Sequence, residues 1–200
     1  MQRRPCGIPT VGLVGGPGAG KSVIWEALRD REHIMLVPEG PTVLHGHGLW
    51  HPRDDPQFAL DVDDFRRLLE AMASWSALER KAVMLVTDRI VGEGTWVYGG
   101  HEAIPGVEAQ ESVLARYQAL ILVAMPTEDV WLRCCHLNGA RGERAHAQAT
   151  ALHERLERFI APHPRIYRVG NEADMTAKVA AGVAIIDQLL FEVGDLEQQS

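Results

Sequence analysis

The sequence predicts an α/β fold of three layers, with a mainly parallel five-stranded sheet, helices on both faces and a small lid. The first observation is that short apolar runs of strand length alternate with segments whose apolar residues recur at helical spacing. The second is that 46% of the 200 residues are apolar, which suffices for one well-buried core. We therefore expect a single domain over residues 1–200.

Five apolar runs have the length and composition of buried parallel strands. Pro38 stops the second run, and the third run ends on charged residues. In chain order the predicted strands are "IPTVGLVG" (8–15), "HIMLVPEG" (33–40), "KAVMLVTDR" (81–89), "YQALILVAMP" (117–126) and "RIYRVGN" (165–171).

Helical spacing of apolar residues follows the first, second, fourth and fifth of these runs. "SVIWEALRD" comes after a glycine loop, "TEDVWLRCCHL" opens at Thr127, and the last helix is expected from Asp174 to Phe191, before a frayed tail. The segment "VDDFRRLLEAMASWSALER" has acids at its start and arginine near its end. Its large apolar residues lie at the offsets of one helical face and are Phe65, Leu68, Leu69, Met72, Trp75 and Leu78.

Charge and cysteine content restrict the class of protein. The 20 basic and 27 acidic residues give a formal net charge of -7, which disfavours a surface that wraps nucleic acid but leaves a local basic channel open. Cys6, Cys134 and Cys135 form no disulfide framework, so we expect a reducing, cytoplasmic setting. Cys134 and Cys135 are expected to fill space between helix and sheet. No run of the sequence resembles a membrane span.

A segment rich in glycine, proline and histidine, "HGHGLWHPRDDPQFAL" (45–60), predicts a long functional loop. His45, His47 and His51 lack the cysteine or carboxylate pattern of a zinc site, so zinc is disfavoured there. Aromatic residues of this loop and of the segment after the third strand either form a stacking wall for a ligand ring or pack against a neighbouring helix. They are Trp50, Phe58, Trp96 and Tyr98.

Between the first strand and the first helix, "GGPGAGKS" satisfies the pattern G-x-x-x-x-G-K-[ST] at every fixed position. Its glycines permit positive φ angles and let successive N–H groups turn inward around an anion. Lys21 is expected to hold the β- and γ-phosphates of a nucleotide and Ser22 to ligate Mg²⁺. The sequence has no N-K-x-D element, which favours ATP over GTP. A glycine-rich turn without a ligand is the alternative. The expected contact residues are Gly15, Gly16, Pro17, Gly18, Ala19, Gly20, Lys21, Ser22 and Val23.

Charged residues follow two predicted strands, where Glu39 comes after the second and Asp88 and Arg89 after the third. Ligands of parallel α/β sheets bind outside the carboxyl ends of the strands. Asp88 is therefore predicted to hold Mg²⁺ through water or to take a proton from an acceptor hydroxyl. Arg89 is predicted to bind an anionic group of the acceptor. In the alternative interpretation, these side chains only cap their strands.

Five segments, taken in order, resemble the P-loop kinase-like family called AAA domain 28 over roughly residues 8–190. They are "VGLVGGPGAGKSVIWEAL", "LVPEG", "FRRLLEAMASWSALER", "VTDR" and "RGERAHAQATALHERL". The family is similar to thymidylate kinases, deoxynucleoside kinases and nicotinamide riboside kinases. The resemblance implies a P-loop kinase fold of the nucleoside-monophosphate-kinase type, with an acceptor-side loop around residues 40–60.

The same resemblance implies that Glu39 and Asp88 flank the acceptor and the metal, while Arg89 touches the acceptor. The glycine-rich stretch "IVGEGTWVYGGHEAIPG" departs from the pattern of many relatives after the arginine and leaves the identity of the acceptor open.

A mobile lid is expected around residues 137–147, within "LNGARGERAHAQ". Arg141 and Arg144 lie there, and arginines on a closing segment stabilise the charge that develops in phosphoryl transfer. Arg133, on the preceding helix, is a weaker candidate for the same role. A solvated helix start with charges at i,i+3 spacing is the alternative. The candidate catalytic residues are thus Lys21, Glu39, Asp88, Arg89, Arg141 and Arg144, and the candidate metal ligands are Ser22 and Asp88.

The leading functional hypothesis is an ATP-dependent phosphotransferase that uses Mg²⁺. It would move the γ-phosphate to a hydroxyl or phosphate of a nucleoside- or nucleotide-like acceptor. One alternative is a viral-type kinase that phosphorylates 5-hydroxymethyluracil in DNA, which requires the base outside the duplex and is disfavoured by the net charge. Another is a regulatory NTPase without an acceptor. A nucleotide-binding protein without turnover is the third.

Overall fold

Five strands form one parallel sheet in the computed structural model, which describes residues 7–40, 43, 56–98, 108–134, 139–170 and 174–198. The strands are β1 (Thr10–Val14), β2 (Ile34–Val37), β3 (Met84–Asp88), β4 (Ala119–Val123) and β5 (Ile166–Val169). Their order across the sheet is β2-β3-β1-β4-β5, with every neighbouring pair parallel. The predicted five-stranded parallel sheet is confirmed, and each strand is shorter than its apolar run.

Six α-helices and one π-helical segment are defined within the described residues. The helices are α1 (Lys21–Glu26), α2 (Pro56–Arg80), α3 (Gln110–Leu114), α4 (Glu128–Cys134), α5 (Gly139–Ile160) and α6 (Met175–Gln198), and the π-helical segment is Glu93–Tyr98. Helix α6 starts one residue after the predicted start at Asp174, whose carboxylate caps the helix by accepting the Thr176 N–H at 2.9 Å. The expected fraying after Phe191 is wrong, because α6 continues to Gln198 and buries Val193 in the core.

The two faces of the sheet carry separate apolar clusters, which gives the three layers of the prediction. On one face, Leu13 of β1 packs with Ile24 of α1 and Ile186 of α6. On the other face, Leu120 of β4 packs with Phe159 of α5. Within the described residues, no helix combines the length and the apolar composition that crossing a bilayer requires.

Helix α2 begins earlier than predicted and buries a different face. It starts at Pro56, since proline suits the first turn of a helix, so the last part of the predicted loop is helical. The face predicted from its large apolar residues is largely exposed, with Trp75 at 76% and Leu78 at 70% exposure. The buried positions carry mostly small or hydrogen-bonded side chains, namely Ala59, Val62, Asp63, Arg66 and Ala77. Small residues allow the helix to lie close to the sheet.

Two buried charges on α2 hold the segment that follows β3. The Asp63 carboxylate accepts the Gly94 N–H at 3.1 Å and the Thr95 N–H at 2.9 Å. Arg66 donates to the Ile90 carbonyl at 2.8 Å and lies 3.5 Å from Asp63. Because each charge satisfies backbone groups, burial costs less than it would for unpaired charges. The pair fixes the backbone that carries the charged residues of the candidate site.

Candidate active site

The loop from Gly15 to Gly20 connects β1, which lies between β3 and β4, to the start of α1. Gly18 and Gly20 have φ angles of 76° and 101°, a region that residues with a Cβ rarely adopt. A Cβ at Gly18 would lie 2.3 Å from Nε1 of Trp131. Glycine is thus required here by both the backbone and the neighbouring indole.

The Lys21 ammonium lies inside this loop and is only 5% exposed. It donates to the carbonyl oxygens of Gly15 at 2.8 Å and Gly16 at 3.1 Å. Burial, reinforced by the positive charge of Arg89, lowers the pKa of Lys21 to about 8. At neutral pH the side chain therefore carries a buried positive charge at the place where the pattern predicts phosphates.

Ser22 and Asp88, the two predicted metal ligands, are brought together by the structure. The Ser22 hydroxyl donates to Oδ2 of Asp88 at 2.8 Å, and Asp88 pairs with Leu13 in the parallel register of β3 and β1. Burial raises the pKa of Asp88, although Lys21 and Ser22 act in the opposite direction. Its second oxygen, Oδ1, is buried without a hydrogen-bond partner among the described residues. A hydroxyl beside an unsatisfied carboxylate oxygen fits the oxygen ligands that Mg²⁺ prefers.

Arg89 is the centre of a second cluster, one residue beyond Asp88. Its φ of 83° is in the left-handed region, which is rare for a residue with a side chain and is held by the bond from its N–H to the Leu13 carbonyl at 3.0 Å. The guanidinium donates through Nε to Glu39 and through Nη1 to Glu93 at 2.9 Å and to the Tyr98 hydroxyl at 2.6 Å. Burial opposes the charge, but Glu93, Tyr98 and Glu39 outweigh it and raise the pKa of Arg89.

Glu93 belongs to this cluster and was not predicted from the sequence. It is 0% exposed, and its second oxygen accepts the Ile90 N–H at 3.3 Å. Its spacing of four residues from Arg89 is the only signal in the sequence, because acid and base four apart pair on one helical face. The π-helical geometry that completes the pairing has no sequence pattern of comparable strength.

Two aromatic side chains from α4 and α5 hold the first half of the phosphate loop, and neither was predicted. Nδ1 of His153 accepts the Gly16 N–H at 3.1 Å. Nε1–H of Trp131 donates to the Pro17 carbonyl at 3.0 Å. Burial lowers the pKa of His153, which favours the neutral ring that this acceptor role needs.

The second half of the loop is held from α6 by Lys178, which is 1% exposed. Its ammonium donates to the Ala19 carbonyl at 3.3 Å and to the Ala124 carbonyl, just after β4, at 3.0 Å. The apolar pattern of this helix did not predict that its lysine would bind the phosphate loop.

The predicted lid lies mostly at the start of α5. Residues 139–147 are helical in that helix, residues 135–138 lie outside the described residues, and so does the side chain of Arg141. Arg144 is exposed on α5, and Arg133 is exposed on α4. Helix α5 meets the phosphate loop through His153 rather than through Arg144. The lid and its arginines stay a prediction.

The remaining sequence candidates divide between packing and residues outside the description. Trp96 stacks on Phe159 with ring centroids 6.0 Å apart, so it packs against α5 as one of the two alternatives proposed. Tyr98 lies on the Arg89 cluster. Val23, predicted to contact nucleotide, is 47% exposed on α1. The side chains of Phe58 and Cys134 lie outside the described part of the chain, as do Cys6, His45, His47, Trp50, His51 and Cys135.

The family model described as an AAA domain, AAA domain 28, matches residues 10–176. The chain belongs to the AAA domain 28 family. The match begins with β1 and ends in the first turn of α6, so it includes the phosphate loop, both charged strand ends and α5. The predicted resemblance is confirmed, and the chain is a P-loop nucleotide-binding domain of α/β fold. Comparison with curated proteins gives no match.

Proposed function

We propose that the protein is an ATP-dependent phosphotransferase. The observation that carries this proposal is the separation of two carboxylates at neighbouring strand ends. Asp88 faces the phosphate loop through Ser22, whereas Glu39 is bound to Arg89. Two carboxylates with different partners suit different tasks, one on the nucleotide side and one on the side of an acceptor.

On the donor side, the chain's own groups are arranged to bind a polyphosphate. The glycines between Gly15 and Gly20 permit close approach, and Lys21 supplies a positive charge below its pKa of about 8. Ser22 and the unsatisfied oxygen of Asp88 would hold Mg²⁺. When bound, this ion neutralises negative charge on the phosphates.

On the acceptor side, Glu39 is the proposed general base, because Asp88 already accepts a hydrogen bond from the Ser22 hydroxyl at the start of α1. The acceptor O–H bond breaks and its proton passes to the Glu39 carboxylate. The acceptor oxygen bonds to the γ-phosphorus while the bridging bond to the β-phosphate breaks, which releases ADP. Arg89 orients Glu39 through its Nε–H.

Two isosteric variants separate these roles. Glu39→Gln is expected to lower kcat with an acceptor by about 10²- to 10⁴-fold, the usual contribution of a general base, without changing the Mg²⁺ concentration for half-maximal rate. Asp88→Asn is expected to spare nucleotide binding measured without Mg²⁺, to remove most of the rate and to raise the Mg²⁺ requirement. Lys21→Ala is expected to abolish transfer.

The measurement is ATP turnover across Mg²⁺ concentrations, with and without a panel of nucleoside and nucleotide acceptors. Turnover that no acceptor stimulates contradicts the kinase proposal and leaves an NTPase. An unchanged rate in Lys21→Ala contradicts the donor site itself. If Glu39→Gln and Asp88→Asn alter the Mg²⁺ requirement equally, the division of roles is wrong.

A further inference from the structure

We infer that the acceptor subsite takes an uncharged group that presents a hydroxyl, and that it rejects a phosphate at the reacting position. This inference rests on the proposed kinase function and narrows its substrate class. It departs from the sequence expectation that Arg89 binds an anionic group of the acceptor.

The positive charge of Arg89 is already matched by carboxylates. Within the part of the chain that the structure describes, three of its five N–H donors are engaged, by Glu39, by Glu93 and by the Tyr98 hydroxyl. Arg89 faces two carboxylates, so the group of three carries a net negative charge. A phosphate that bound the two remaining donors, both on Nη2, would lie beside two carboxylates, and the fold holds Glu93 in position because it also accepts the Ile90 N–H.

The other described charges around Arg89 do not reverse this excess of negative charge. Arg66, the next arginine, is paired with Asp63 on α2 and donates to the Ile90 carbonyl. Asp88 adds a further carboxylate, and Lys21 is turned into the phosphate loop. Among the described residues of these contacts, four carboxylates and three cations lie close together. The carboxylates are Glu39, Asp63, Asp88 and Glu93, and the cations are Lys21, Arg66 and Arg89. The described surroundings of the subsite therefore disfavour an added dianion.

An uncharged hydroxyl is not repelled by these carboxylates and does not compete with them for Arg89. It donates a hydrogen bond to the Glu39 carboxylate and gives up that proton as its oxygen bonds to the γ-phosphorus, while ADP leaves. Arg89 keeps both carboxylates and holds Glu39 in place. A phosphate acceptor at neutral pH carries little proton for Glu39 to take, because its second pKa is near 6.

Two sources supply this chemistry, a free nucleoside and a hydroxymethylated base in DNA. The experiment measures transfer from labelled ATP to each common nucleoside, to its 5′-monophosphate and to a single-stranded oligonucleotide containing 5-hydroxymethyluracil. We expect kcat/KM for the preferred nucleoside to exceed that for its monophosphate on the order of a hundredfold. Transfer to the oligonucleotide alone assigns the hydroxyl to DNA and also supports the inference.

Glu93→Gln removes one negative charge beside Arg89 while keeping the shape of the side chain. It is expected to shift the ratio of nucleoside to monophosphate kcat/KM toward the monophosphate by about tenfold. The matched control, Glu192→Gln, removes an equal charge from a carboxylate on α6 that pairs with Arg165, and should leave the ratio unchanged. If Glu93→Gln does not fold, the wild-type comparison decides alone.

Failure of this inference and failure of the proposed function give different results. A monophosphate used as well as or better than its nucleoside, or an unchanged ratio in folded Glu93→Gln, overturns the inference and leaves the kinase intact. No transfer to any acceptor, with magnesium-nucleotide still bound, overturns the proposed function and this inference with it.

Discussion

Nucleotide affinity should fall as pH rises through about 8, because Lys21 loses its charge there in the free protein. Burial is the main cause of its lowered pKa. A bound polyphosphate stabilises the ammonium and raises the pKa of Lys21 again, so binding above that pH requires uptake of a proton. With a pKa of about 8, raising the pH from about 7 to about 9 changes the charged fraction by roughly tenfold. The dissociation constant should rise by about tenfold, or ~1.4 kcal/mol.

The stability of the free protein should change in the opposite direction. The lowered pKa means that the unfolded chain binds more protons at Lys21 than the folded chain between about pH 8 and 10.5. The cost of burying the ammonium is therefore fully present below that range and is relieved as pH rises. From about pH 7 to 9 this gain is ~1.4 kcal/mol in the free energy of unfolding, taken relative to Lys21→Met at each pH.

Calorimetric titration of a non-hydrolysable ATP analogue, in buffers of different ionisation enthalpy, measures both affinity and proton uptake. Lys21→Arg stays charged throughout this range and should remove the pH slope, whereas replacement of the exposed Lys81 by Gln should retain it. A wild-type affinity that is constant from about pH 7 to 9, or a slope that persists in Lys21→Arg, refutes the argument.

Three further predictions concern the loop and the packing. His153→Ala removes the acceptor of the Gly16 N–H. It should lower the free energy of unfolding and weaken nucleotide binding, and the two losses should add up to about 1–3 kcal/mol. His153→Asn, whose amide oxygen can replace Nδ1, should recover part of that loss in denaturant and binding titrations, and equal losses in both variants contradict the role of the bond. Gly18→Ala should destabilise the loop by at least ~1 kcal/mol and weaken nucleotide binding, since its φ is 76°, and unchanged calorimetric affinity contradicts this. Trp75 lies on the exposed face of α2, so Trp75→Ser should change the free energy of unfolding by less than about 0.5 kcal/mol. Met84 of β3 is fully buried and serves as the comparison, because Met84→Ala should lower the free energy of unfolding by about 2–5 kcal/mol. Comparable losses in the two variants contradict the observed orientation of α2.

The nucleotide side of the site was predictable because its chemistry is local in sequence. The phosphate loop needs glycine where φ is positive and a lysine at the helix start, so one short pattern names Gly15, Gly20 and Lys21 together. Asp88 was also predictable, because a carboxylate after a buried run falls at the carboxyl end of a strand. The parallel register then brings it to Ser22.

Residues that meet across the fold were not predictable in the same way. His153 reaches Gly16 only because α5 crosses the phosphate loop, and 137 residues separate the two in sequence. In helix α2 the periodicity correctly predicted a helix, but the face with the large apolar side chains was wrongly predicted to be the buried one. The face that packs carries Asp63 and Arg66, which are buried there and form hydrogen bonds to the segment after β3.

The cluster around Arg89 combines a local pattern in the sequence with contacts between distant residues, and the interpretation of Arg89 depends on both. An arginine after a strand, considered alone, predicts anion binding, because guanidinium and phosphate are complementary. The same Arg89 bound to Glu39 from one loop and to Glu93 from a π-helical segment has its charge matched before any ligand arrives. In the proposed kinase, Arg89 orients the Glu39 carboxylate toward an acceptor hydroxyl, and we infer this role from the partners of the arginine and not from its residue type.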